Sequence, residues 1–259
     1  MSDRPLVFIT GASSGIGQAL AAHYLRAGWR LALVARRGPA MQSWLHARGA
    51  HAHGHGVYAA DVAEPGAMAA AARECLKRQG LPDVVIANAG ISIGMDTGSA
   101  RDLDVLARTL ATNVTGLAAT FQPFIAPMRQ RGRGRLVAVA SVAGVRGLPG
   151  QAAYCASKAA AISYGESLRS ELAGSGVSVL TLCPGFIATP LTARNRYPMP
   201  FLLTADEFAR RAARAIASRA AYRVIPWPMA LVARALPLLP DGLFDRLLAR
   251  QPRKLREGE

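Results

Sequence analysis

Leu6-Val-Phe-Ile-Thr10-Gly-Ala-Ser-Ser-Gly-Ile-Gly17 is the stretch that decides the fold. Its first five residues form a short apolar run, as expected of a strand buried on both faces. Glycines at 11, 15 and 17 follow at once, and then a helical pattern begins. On a strand-to-helix turn, missing side chains let the backbone approach a pyrophosphate. The helix N-terminus adds free N–H groups and partial positive charge. The spacing Gly-x-x-x-Gly-x-Gly differs from the common Gly-x-Gly-x-x-Gly fingerprint, and a glycine-rich loop alone can be a tight turn. After the first strand of an alternating α/β chain, it predicts a dinucleotide site.

Moving outward, the strand reading recurs at Leu31–Ala35, Val57–Ala60, Val84–Ala87, Leu136–Ala140, Val177–Cys183 and Tyr222–Ile225. Helical patterns separate these runs, including one from about Glu64 to Gln79. Strands alternating with helices predict a parallel sheet of about seven strands with right-handed crossovers covering both faces. The 259 residues suit one α/β domain, and 51% hydrophobic content can fill its core. We expect residues 1–226 to form that domain and residues 227–259 a C-terminal extension.

The second strand bears on which dinucleotide is bound. An NAD site usually carries Asp or Glu about 20 residues beyond the glycines, on the ribose hydroxyls. Here the sequence reads Val34-Ala-Arg-Arg37, with no carboxylate in reach. A guanidinium suits a 2′-phosphate through paired charge-assisted hydrogen bonds. The expectation is NADP(H) ahead of NAD(H), with Arg36 favoured over Arg37; the alternative is two surface arginines in an Arg-rich chain.

The net charge of +15 arises from 31 basic and 16 acidic residues. The arginines are scattered and no aromatic-interleaved basic stripe occurs, so no nucleic-acid partner is expected. Cys75, Cys155 and Cys183 lack disulfide or metal spacing, which fits a reducing cytoplasm. The alternating His51, His53 and His55 suggest a surface loop rather than a metal site. Neither a signal peptide nor a spanning apolar run is read.

In Gln151-Ala-Ala-Tyr-Cys-Ala-Ser-Lys158, Tyr154 and Lys158 stand four apart and share a helical face. An ammonium beside a phenol favours the phenolate, so the spacing predicts a Tyr154 pKa below the usual value of about 10. Alone, such a pair is more often a solvated helix face.

Together, Thr10–Gly17, Asn88-Ala-Gly90, Asn113, Ser141, Tyr154-x-x-x-Lys158 and Pro184-Gly185 resemble the short-chain dehydrogenase/reductase family over roughly residues 5–226. The resemblance implies a Rossmann-like doubly wound fold and a catalytic tetrad of Asn113, Ser141, Tyr154 and Lys158. In that pattern Tyr154 passes the proton, and Ser141 orients the substrate oxygen. Lys158 lowers the tyrosine pKa and grips the nicotinamide ribose, and Asn113 holds a water leading from Lys158 to solvent. The resemblance also implies cofactor contacts. Gly11, Ser13, Ser14, Gly15, Ile16 and Gly17 would hold the pyrophosphate. Asp61 and Val62 would lie at the adenine, and Asn88, Ala89 and Gly90 at its ribose. Pro184, Gly185, Ile187 and Thr189 would lie at the nicotinamide, with Thr189 on its carboxamide. Ala87 departs from the pattern, since many members have an asparagine there.

Residues 186–203 correspond to the family's substrate lid. Their run Tyr197-Pro-Met-Pro-Phe-Leu-Leu203 suggests an apolar carbonyl or alcohol as the small-molecule substrate, or packing on another subunit. The extension from Trp227 ends in a basic stretch, Arg250 to Arg256. It reads either as a helical pair closing the pocket or contacting a dimer mate, or as a peripheral contact with an anionic bilayer. The leading expectation is an NADP-dependent oxidoreductase in a homodimer or homotetramer. The alternatives are a membrane-surface reductase or adaptor and a non-catalytic dinucleotide sensor.

Overall fold

The computed structural model describes residues 4–50, 54–249 and 251–259. Its strands are β1 (Leu6–Thr10), β2 (Arg30–Ala35), β3 (Gly56–Ala59), β4 (Val84–Ala87), β5 (Gly134–Val139), β6 (Val177–Pro184), β7 (Ile187–Ala188), β8 (Leu203–Thr204) and β9 (Tyr222–Ile225). The helices are α1 (Gly15–Arg26), α2 (Gly38–His46), α3 (Pro65–Arg78), α4 (Leu103–Leu110), α5 (Gly116–Arg131), α6 (Ala152–Glu171), α7 (Ala205–Ala217), α8 (Trp227–Ala235) and α9 (Asp241–Leu248). Seven strands form one parallel sheet in the order β3-β2-β1-β4-β5-β6-β9. This is the doubly wound architecture that the apolar runs predict, and each of them coincides with a strand to within two residues.

Alternation along β1 shows why both faces must be covered. Leu6 and Phe8 join a core with Met68 and Cys75 of α3, Phe121 and Phe124 of α5, and Leu168 of α6. Val7 and Ile9 point the other way, into a core with Leu20 of α1, Met41 of α2 and Phe208 of α7. The Phe8 and Phe124 rings meet edge-on at 4.8 Å, a favoured aromatic arrangement.

Strand order reverses between β1 and β4, so the chain segments leaving their carboxyl ends part and open a crevice. Thr10 ties the two sides of that crevice together. Its buried hydroxyl accepts from the Asn88 and Ala89 amides at 3.1 and 3.3 Å, while Asn88 Nδ2 donates to the Thr10 carbonyl at 3.0 Å.

Residues 227–249 pack on the same body. Arg146, after β5, donates to the Leu236 and Leu239 carbonyls and pairs with Asp241 at 2.7 Å. Its guanidinium also lies 3.8 Å from the Phe244 ring centre. Trp227, Leu231 and Leu238 remain exposed on the outside. Among the described residues, no helix is long and apolar enough to cross a membrane.

Thr10→Val removes the acceptor for two amides while keeping the side-chain shape. Urea denaturation should show a loss of about 1–3 kcal/mol. Amide exchange at Asn88 and Ala89 should rise more than exchange in the centre of β1.

Candidate active site

The glycine-rich loop is built for close approach. Gly11 has φ +66°, and a Cβ there would lie 2.8 Å from Ala89 Cα. A Cβ on Gly17 would overlap the Gly11 carbonyl, so the first turn of α1 can be seated against the loop only with glycine there. Ser14, preceding α1, makes no side-chain cap, which leaves the first amides of the helix open to an anion. A Cβ on Gly15 would lie 3.3 Å from the Thr189 side chain, placing Thr189 across from the loop. Ser13 and Ile16 belong to the same turn. This cradle fits a dinucleotide pyrophosphate.

Both arginines after β2 reach this end of the sheet, with different partners. Arg37 Nη2 donates to Ser13 Oγ at 3.2 Å, directly on the glycine loop. Arg36 Nη1 stands 3.7 Å from Asp61 Oδ2 and is mostly exposed. Asp61 also accepts from the Ala63 amide at 3.0 Å, and Val62 packs against Gly116 of α5. Of the two, Arg37 touches the glycine loop, while Arg36, favoured from the sequence for a 2′-phosphate, stands beside Asp61.

The other predicted residues gather beside the crevice. Asn113 lies in a π-helical turn, Ala111–Thr115, joining α4 to α5. Its Oδ1 accepts from the Ile91 amide at 2.8 Å, and its Nδ2 donates to the Ile91 carbonyl at 3.0 Å and to Ser157 Oγ at 2.9 Å. Ser157 in turn donates to the Tyr154 carbonyl at 2.7 Å. Asn113 therefore fixes the segment after Gly90 against the turn of α6 that carries Tyr154. Ser141 Oγ, just beyond β5, accepts from the Ala143 amide at 3.1 Å and faces the Tyr154 phenol. The position of a Cβ on Gly90 is 3.5 Å from Lys158 Nζ and 3.2 Å from Asn113 Oδ1, so the segment after β4, the α4–α5 junction and α6 meet at Lys158.

The expected tyrosine shift is reversed in this structure. Lys158 Nζ donates to the Val139 carbonyl at 2.9 Å and lies 5.8 Å from the centre of the Tyr154 ring. The spacing gave a shared face, but the hydrogen bond the ammonium makes is to the Val139 carbonyl. Burial dominates Tyr154 and pushes it up to about 12, with Ser141 hydrogen bonding pulling the other way. Burial also pushes Lys158 down to about 8, because it penalises the charged ammonium.

Thr10 was read only as the start of the glycine motif, and Ser157 carried no signal apart from its place beside Lys158. The apolar lid residues divide between surface and interior. Leu191, Phe201 and Leu202 are exposed, whereas Tyr197 is half-buried, hydrogen-bonds Gln151 and raises the pKa of Tyr154 by its proximity. Phe186 stands beside it, with ring centres 6.3 Å apart. Cys155 is buried packing, as its helical position suggests. His55 Nδ1 accepts from the Leu31 amide at 3.2 Å, while His51 and His53 lie outside the described residues. Among the described residues no group of three metal-ligating side chains occurs. A cavity of about 420 Å³ between α7 and α8, lined by Arg211, Arg214, Arg223 and Trp227, contains none of the site residues.

Fold and site together define a doubly wound α/β protein with a glycine-rich anion cradle and a serine–tyrosine pair at the carboxyl edge of its sheet. The short chain dehydrogenase family profile matches residues 5–199. An uncharacterized oxidoreductase of Myxococcus xanthus is 38% identical over 93% of this chain and 95% of its own. A short chain dehydrogenase/reductase from Burkholderia phymatum, solved in complex with NAD, superposes with a TM-score of 0.80, at 27% identity and 97% coverage of both chains. The 3-ketoacyl-(acyl-carrier-protein) reductase of Brucella melitensis, complexed with NADH, gives a TM-score of 0.76 at 25% identity, covering 85% of this chain and 96% of that one. The chain belongs to the short-chain dehydrogenase/reductase family of oxidoreductases.

Burial of Lys158 has a measurable consequence. Its folded pKa of about 8 is below the ordinary 10.5, so the unfolded chain binds this proton more tightly between those values. Wild-type stability should therefore gain a Lys158 contribution as pH rises from 8 to 10.5. Lys158→Met should lack that rise and be more stable than wild type at pH 7, by up to about 3 kcal/mol. Paired urea titrations of the cofactor-free proteins at pH 7, 9 and 10.5 would show the difference shrinking with pH.

Proposed function

We propose that the protein is an NADP(H)-dependent reductase of apolar ketones or aldehydes, running reversibly as an alcohol dehydrogenase. The observation that carries this reading is the Ser141 hydroxyl facing the Tyr154 phenol beside Lys158, at the crevice that the glycine-rich loop borders. The nicotinamide, when bound, gives or takes the hydride. Ser141 orients the substrate oxygen by hydrogen bonding. Tyr154, pushed up to about 12, stays protonated through the neutral range and gives its proton to that oxygen during reduction. Lys158 stabilises the phenolate that results, and its pKa of about 8 suits return of the proton near neutral pH. Asn113 positions the segment after Gly90 and, through Ser157, the backbone of Tyr154.

Three features support the cofactor assignment. The two solved relatives described above hold NAD and NADH, which supports a nicotinamide dinucleotide. The end of β2 carries Arg36 and Arg37 where an NAD site places a carboxylate. Arg37 bonds Ser13 and Arg36 pairs with Asp61, which supports two guanidinium groups being available to an adenosine 2′-phosphate. Phe186 and Tyr197, half-buried on the lid side, support an apolar substrate. A non-catalytic sensor would have no use for the Ser141–Tyr154 pairing.

Tyr154→Phe should lower kcat for ketone reduction with NADPH by about 10²–10⁴-fold. NADPH affinity, read by fluorescence titration, should stay within about threefold; retained turnover would exclude Tyr154 as proton donor. Arg36→Ala and Arg37→Ala should each reduce the NADPH-to-NADH ratio of kcat/KM by about tenfold, and the double variant by more. An unchanged ratio in the double variant would exclude the 2′-phosphate assignment.

A further inference from the structure

The C-terminal residues do something that their basic composition does not suggest. Instead of facing outward, they cross the segments that leave β4, β5 and β6, the same strand ends that carry the site. On the β4 side, the Gly94 amide donates to the Leu255 carbonyl at 3.0 Å, and Gly94 forms an isolated parallel bridge with Arg256. A Cβ on Gly94 would overlap the Lys254 and Leu255 carbonyls, so the tail lies directly on this backbone. On the β5 side, a Cβ on Gly150 would stand 3.0 Å from Arg253 Cβ, four residues before Tyr154. Gly150 also accepts from the Met95 amide at 3.0 Å, which brings these two segments together beneath the tail. On the β6 side, Lys254 Nζ donates to the Leu191 carbonyl at 3.2 Å and to Asn195 Oδ1 at 3.0 Å. Arg194 adds a hydrogen bond to the Glu259 carbonyl.

Charge holds the crossing in place. Arg256 donates from Nε and Nη2 to the two carboxylate oxygens of Asp102, both at 2.9 Å, and from Nη2 to Ser99 Oγ at 3.2 Å. Asp102 is buried at the start of α4 and also accepts from the Asp96 amide. A forked guanidinium–carboxylate pair on a mostly buried carboxylate is geometrically specific, unlike a lone surface ion pair. Glu257 reaches Arg108 of α4 at 2.6 Å and reinforces it.

We propose that residues 253–259 form a strap across the outer end of the substrate cleft, and that Arg256 and Lys254 thereby determine how long a substrate the site accepts. Arg256 fastens the strap to the β4 side, and Lys254 fastens the lid to the strap. Tyr197 lies on the same lid, two residues beyond Asn195, and its ring is close enough to Phe186 and Tyr154 for the tie at Asn195 to hold its segment beside the site. A carbonyl compound with a short apolar tail fits beneath the strap, whereas a longer one must displace it. The size preference rests on the reductase reading above; the fastening does not.

The test compares Arg256→Gln, Lys254→Met and a chain ending at Gln251 with wild type, by amide exchange and by turnover. In each variant, exchange across lid residues 189–202 should quicken at least tenfold, and Gly94 should lose protection in Arg256→Gln and in the shortened chain. With NADPH and a series of straight-chain methyl ketones, the kcat/KM ratio of the longest to the shortest ketone should rise at least tenfold. Unchanged lid exchange in both point variants would overturn the fastening. Faster exchange with an unchanged length ratio would overturn the role in specificity. If wild type reduces no carbonyl compound, the reductase reading fails with the length preference that rests on it, while the exchange comparison still decides the fastening.

Discussion

The ammonium of Lys158 donates to the Val139 carbonyl inside the interface between α6 and the sheet, with 5% of the residue exposed. Holding a charge there is unfavourable, and the surroundings are shaped to tolerate it. Gly90 offers no side chain beside Nζ, and Asn113 approaches the same point from the π-helical turn. A methionine would pack in that place more comfortably, so the lysine costs the fold stability. The rest of the site is organised around keeping this group and Tyr154 at fixed positions.

That organisation is a relay of short hydrogen bonds between segments distant in sequence. Thr10 holds Asn88 and Ala89; Asn113 holds Ile91 and Ser157; Ser157 holds the Tyr154 carbonyl. Beneath it lie two dry apolar layers, and the alternation of Leu6 and Phe8 with Val7 and Ile9 commits β1 to both. A rigid sheet thus presents loops whose relative positions are set by a few polar side chains. Geometry of this kind is what proton transfer over hydrogen-bond distances requires.

Much of this was legible in the chain. Short apolar runs alternating with helical patterns fit strands covered on both faces, so the sheet, its approximate number of strands and its parallel sense followed from that alternation. The glycine-rich turn pointed to a dinucleotide loop because glycines at fixed intervals report local backbone constraints, whereas the tetrad came from the family resemblance. Three things were hidden. The i, i+4 spacing of Tyr154 and Lys158 guarantees a common helix face, yet where each head group ends depends on the sheet beneath it. Arg37 and Arg36 are adjacent, and only the folded loop decides which of them meets Ser13. The C-terminal extension read equally as a pocket-closing or dimer-contacting pair of helices and as a membrane contact, because the partners of its last residues, Asp102 and Asn195, are far upstream.

Arg146 has a consequence for anyone recombining this protein with its relatives. One guanidinium gathers two carbonyls, a carboxylate and an aromatic ring from residues 236–244. The C-terminal segment is therefore not an interchangeable module. A chimera that imports a foreign segment after Pro226 would inherit a socket made for other contacts. Transplanting this end of the molecule means moving Asp102, Arg146 and Asn195 with it, a discontinuous unit that a single crossover point cannot carry.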